Sequence, residues 1–169
     1  MEPLAHASIA LMAKPIAPKA PLWALIAATQ VPDLLYFGFC ALDIENPGVS
    51  STDFAQGLSV SVPPIYPWSH GFFMCIVWSV IVAVISYAFL RERRTSIIIG
   101  GMVFSHWLLD FIVYATLPLF FEDSPRMGLG LLNSGPGLVY SILVEISLIA
   151  TGLAIYLSSR KRTAKLVGE

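Results

Sequence analysis

Four stretches of this chain, about residues 20–42, 66–90, 95–121 and 136–158, are each twenty or more residues long and predominantly apolar. At 1.5 Å per residue, about twenty helical residues cover the roughly 30 Å hydrocarbon core of a bilayer. Composition agrees with that reading. The 169 residues are 56% hydrophobic and only 12% charged, with a mean hydropathy of +0.75. A soluble domain of this size would carry about a quarter charged residues. The expected fold class is therefore all-α integral membrane, with four transmembrane helices in one domain spanning residues 1–169. A short helix over 2–13 precedes them, with Pro3 suited to its first turn. A dozen residues cannot cross the core, so this helix is expected to be re-entrant or interfacial, or packed against the others.

The basic residues sit in three places: Lys14 and Lys19, the turn Arg91 to Arg94, and the tail Arg160 to Lys165. Four crossings put all three on one side, which the positive-inside rule assigns to the cytoplasm. Both termini are then expected to be cytoplasmic, with the loops 43–67 and 122–134 outside. The net charge of −1 gives no pointer to nucleic acid, and none is expected as a partner. The expected partners are membrane lipid and other proteins in the membrane. Cys40 and Cys75 lie in apolar spans and read as small hydrophobes rather than a disulfide or a metal pair.

Against this apolar background the ionisable residues stand out. In Phe104-Ser105-His106-Trp107-Leu108-Leu109-Asp110, His106 and Asp110 lie four apart, on one face of a helix and one turn from each other. Such groups inside an apolar span cost several kcal/mol unless they are paired or bind something. The chain has three histidines, His6, His70 and His106, all in apolar helical segments, and Asp33 is a further carboxylate within a span. Counting from the basic anchors, Asp33 lies roughly 20 Å from Lys19, His106 roughly 18 Å and Asp110 roughly 24 Å from Arg94. These three share a level. His70, roughly 30 Å from Arg91, is expected nearer the outer surface, capping a site that opens outward. The depth of His6 is not fixed by this count.

Each residue has a plain structural explanation. His70 beside Trp68 fits an interfacial aromatic, Asp33 next to Pro32 fits a cap on an opened turn, and His106 with Asp110 fits a packing pair. Placing all three histidines in spans for such unrelated reasons is the harder coincidence. Imidazoles and carboxylates together are the ligand types of zinc, and of manganese or iron. The candidate metal ligands are His6, Asp33, His70, His106 and Asp110, with Asp33 and Asp110 also the candidate catalytic carboxylates. A catalytic zinc keeps three protein ligands and a water, whose pKa it lowers to about 7.

At these positions the sequence resembles the small bacterial membrane-bound metal-dependent hydrolases, themselves distantly similar to zinc-dependent phospholipases C and single-strand-specific zinc nucleases. The matching pieces are His6, Pro32-Asp33, Ser69-His70-Gly71 and Ser105-His106-Trp107-Leu108-Leu109-Asp110, in the family's order over residues 6 to 110. Where the family adds an acidic residue and a histidine after Pro-Asp, this chain has Leu34-Leu35-Tyr36. Where it carries His-Arg-Gly before the second histidine motif, this chain has Ile65-Tyr66-Pro67. With those ligands missing, the resemblance implies one divalent ion rather than two, zinc first and manganese or iron next. It also implies hydrolysis of an ester or phosphodiester, one that lipids carry. The alternatives are a non-catalytic membrane subunit with a degenerate metal site and, behind it, a small ion or proton transporter.

Overall fold

The computed structural model describes residues 3–46, 66–121, 124–131 and 136–167. The middle of the expected polar loop 43–67 and parts of the loop 122–134 lie outside them. The described residues are about 75% helical. Among the described residues three helices are long and apolar enough to cross a bilayer: α5 (Phe72–Leu90), α6 (Arg93–Val113) and α7 (Gly137–Val167). The pair α2 (Leu22–Thr29) and α3 (Val31–Ala41) makes a fourth span when counted across its 49° bend.

Of these, α6 is the central helix. Its apolar window is 56% buried, against 11% for α5 and for α7, whose remaining faces are rows of exposed Val, Leu and Ile. It forms a hairpin with α5, turned by Arg91 in the left-handed region (φ 52°). Glu92 caps α6 by accepting the Thr95 N–H at 2.6 Å, and that bond holds its carboxyl below the usual carboxylate range. The two helices approach closely where Gly100 faces Ser79 and Ala83. Leu25 and Ala28 of α2 then pack on Ile99 and Val103 of α6.

The short helix α1 (Pro3–Ala13) packs against α2, α6 and α7, as one of the expected placements has it. Ala5, His6, Ser8, Ala10 and Ala13 are buried along it while Leu4 is exposed. Small side chains make this fit, since a Cβ on Gly152 of α7 would stand 2.7 Å from the Ser8 carbonyl oxygen.

Besides the bend at Gln30, one further expected span is broken and another ends early, each with a backbone cause. The span over 66–90 is two helices, α4 (Pro67–His70) and α5, joined by an extended Gly71 (φ −64°, ψ 138°). A Cβ at Gly71 would run into the Pro67 carbonyl oxygen and lie 3.1 Å from that of Phe120. The span expected to continue to residue 121 stops at Val113. Leu129 N–H bonds to the Phe111 carbonyl and Gly130 N–H to the Tyr114 carbonyl, so the returning chain supplies donors that the helix end lacks. A two-residue hairpin follows, β1 (Leu117–Pro118) paired antiparallel with β2 (Arg126–Met127).

Because Gly71 touches backbone on two sides, Gly71→Ala should lower stability by roughly 1–3 kcal/mol. Gly101→Ala, with nothing within 4 Å of the added methyl, should not. Thermal unfolding of the two variants in detergent checks the difference.

Candidate metal centre

The breaks in the spans bring their polar residues to one place. Asp33 stands in the first turn of α3, just past the break at Gln30, where Pro32 cannot donate to the turn before it. His70 is the last residue of α4, directly before the break at Gly71. His106 and Asp110 face the same way from the C-terminal half of α6, and α1 carries His6 in beside them.

His106 Nε2 lies 3.2 Å from Asp110 Oδ2 and 3.5 Å from Asp33 Oδ1. His70 Nε2 lies 3.4 Å from the same Asp33 oxygen and 3.7 Å from the same Asp110 oxygen. Two imidazole nitrogens and two carboxylate oxygens thus alternate around one small space. His6 approaches the other oxygen of Asp110, with Nε2 at 3.4 Å from Oδ1, and its ring stacks on His106 at 3.7 Å between centroids. All five residues singled out in the sequence converge. His70 is not a lid above the others, because the break at Gly71 lets its ring drop to their level.

The hydrogen positions follow from the partners of the other ring nitrogens. His106 Nδ1 is 2.8 Å from the Thr29 carbonyl oxygen. A carbonyl only accepts, so Nδ1 carries a hydrogen. Thr29 ends α2, and a C-terminal helix carbonyl needs an outside donor. The same bond therefore seals the helix end and fixes the ring. His70 Nδ1 is 2.8 Å from Ser69 Oγ, while Ser69 Oγ donates at 2.6 Å to Glu45 Oε2. With its hydrogen committed to Glu45, the serine oxygen accepts from His70 Nδ1–H. Both histidines then present Nε2 to the carboxylates. His106 Nε2 makes no hydrogen bond there, and neither ring nitrogen of His6 makes one among the described residues.

This arrangement suits a cation. Neighbouring donors about 2.0–2.1 Å from a shared zinc lie about 3 Å from each other. The four nitrogen–oxygen distances here run from 3.2 to 3.7 Å. Two overlapping sets of donors lie close enough to share an ion, Asp33, His70 and His106, and His6, His106 and Asp110. The Asp33 side chain is 30% exposed, against 4% for Asp110 and 1% for His6 and His106, so access is from the Asp33 side. Tyr36 and Tyr66 stand edge-on to His70 on that rim.

Thr29 and Glu45 lie outside every motif of the sequence. No periodicity marks a loop acid or a main-chain carbonyl, and only the structure pairs them with the histidines.

No family model matches the chain, and neither does any curated protein or any solved structure. The chemistry of the centre rests on its own geometry.

His106→Ala should lower stability by about 2–4 kcal/mol, because it opens a cavity and leaves the buried Thr29 carbonyl unpaired. Denaturant unfolding of the metal-free protein measures this directly.

Proposed function

We propose that this protein is a membrane-embedded metal-dependent hydrolase, with one divalent cation held by Asp33, His70, His106 and Asp110. His6 is the fifth donor, on the second oxygen of Asp110. The observation that carries the reading is the pair of imidazoles, each with its Nδ1 hydrogen already taken up, facing two carboxylate oxygens at 3.2–3.7 Å. Zinc fits the mixed nitrogen and oxygen donors and the spacing, and manganese or iron would accept the same set.

When bound, such an ion polarises an ester or phosphoryl oxygen and supplies a nucleophile near neutral pH. The protein's own part is to hold donors and move a proton. Asp110, buried and flanked by three histidines, is a fixed ligand. Asp33, the most accessible of the five, has an oxygen within reach of both the centre and the entrance, and it takes the proton from an attacking water. The substrate is an ester or phosphodiester of a membrane lipid, entering from the Asp33 side past Tyr36 and Tyr66. The resemblance of these positions to the small bacterial membrane-bound metal-dependent hydrolases supports a metal site more than it supports the reaction.

The inner membrane is the proposed location, with the basic segments cytoplasmic. In support, Lys19 is among the charges that hold down the Glu92 carboxyl, after its Thr95 bond, so the connector 14–19 and the turn 91–94 share one end of the bundle. The centre lies toward the other end.

Zinc-loaded protein in mixed micelles should hydrolyse phospholipid or a chromogenic phosphodiester. Asp33→Asn should lower kcat about 10²–10⁴-fold, the usual weight of a general base. Loaded protein that turns over neither phospholipids nor simple esters would end the hydrolase reading. Zinc affinity should also fall as pH is lowered, because protons compete with the cation for the ligating nitrogens. Titration with a competing zinc indicator at several pH values checks this.

A further inference from the structure

Glu45 is 4% exposed although it sits in a polar connection twenty-four residues before Ser69. Its Oε1 accepts the backbone N–H groups of Trp68 at 2.8 Å and Ser69 at 2.9 Å, and its Oε2 accepts the Ser69 hydroxyl at 2.6 Å. The two backbone bonds alone would make it a cap on the four-residue α4. The hydroxyl bond does something a cap does not require, because Ser69 Oγ in turn touches His70 Nδ1 at 2.8 Å. A carboxylate has no hydrogen to give. It therefore fixes the direction of the whole chain of bonds: Nδ1–H of His70 to Ser69 Oγ, and Ser69 Oγ–H to Glu45.

We infer that Glu45, acting through Ser69, is a positioning residue that locks His70 in its Nδ1–H tautomer and so turns a bare Nε2 toward the cation. The inference rests on the metal reading above and assigns that site its outer support. Ligating histidines commonly need a partner on the second nitrogen, and losing it costs about 10–100-fold in metal affinity. His106 takes that partner from a main-chain carbonyl, which no side-chain substitution removes. His70 takes it from a serine hydroxyl, which by itself could either donate or accept. Only the carboxylate behind it decides which.

This has a consequence at the level of single atoms. In Glu45→Gln the amide oxygen can keep both backbone N–H bonds, which leaves the NH₂ group facing Ser69 Oγ. The serine oxygen then accepts from the amide, and its own hydrogen turns to His70 Nδ1. The tautomer inverts, with the hydrogen now on Nε2, facing the donors it should join. Ser69→Ala has a different effect. It leaves Nδ1 with no fixed partner and keeps both backbone bonds to Glu45. Ser69→Thr retains the hydroxyl and the chain of bonds.

The test is the ring-nitrogen NMR spectrum of ¹⁵N-histidine-labelled protein without metal, together with zinc affinity from competition with a chromophoric chelator. The parent and Ser69→Thr should show His70 with a protonated Nδ1 and a bare Nε2. Glu45→Gln should show the reverse and Ser69→Ala a mixture. Zinc affinity should fall about 10–100-fold in Glu45→Gln and Ser69→Ala, and Ser69→Thr should restore it. Unchanged spectra and unchanged affinity in both weakened variants would overturn the inference while leaving the metal site standing. A parent that binds no zinc would overturn the metal reading, and the spectrum of that same protein still decides the tautomer. Should Glu45→Gln fail to fold, Ser69→Ala carries the test, because it leaves the cap on α4 intact.

Discussion

Five ionisable side chains share a space inside an apolar bundle, and that space has to be electrically satisfied. In water such a cluster would cost little. Among helices whose outer faces are Val, Leu and Ile, an uncompensated charge costs several kcal/mol, and each carboxylate must find a cation or a donor. Two of the three imidazoles, while neutral, cannot donate through Nε2, because their single hydrogens are held on Nδ1 by Thr29 and Ser69. A bound cation at the centre, or a protonated imidazole, would satisfy both carboxylates. The rest of the fold follows from the need to deliver those side chains there.

Continuous helices would not deliver them. Asp33 reaches the centre because the first span breaks at Gln30, and His70 because the second breaks at Gly71. Broken helices inside a bilayer are tolerated where the freed backbone groups are re-satisfied. Here the groups that satisfy them are part of the site. The carbonyl at the end of α2 takes the His106 hydrogen, and Glu45 takes the first free amides of α4 along with the Ser69 hydroxyl. The short α1 makes the same economy possible for His6. It enters as half a span, with small residues along the face that touches α7.

The sequence discloses some of this and conceals the rest for physical reasons. The apolar stretches follow from hydropathy alone, because a bilayer sets a length that composition must meet. His106 and Asp110 are legible as a pair because helix periodicity fixes which residues share a face. His70 is misplaced by counting residues from Arg91, since a constant rise per residue assumes a helix that does not break. The helix ending at Val113 is equally hidden. The hydrophobicity of residues 114–121 suits a span as well as a packed hairpin, and the choice falls to donors from Leu129 and Gly130. Glu45 is the least legible. Its role depends on a contact across two dozen residues of polar chain, which neither pattern nor composition can signal.

The most direct measurement is the metal content of the detergent-purified protein by elemental mass spectrometry, with Asp110→Asn purified in parallel. Asp110 offers oxygens to all three histidines, so its amide should empty the site. The account predicts close to one zinc, manganese or iron ion per chain in the parent and almost none in Asp110→Asn. A parent that is folded, metal-free and still metal-free after incubation with zinc would contradict it.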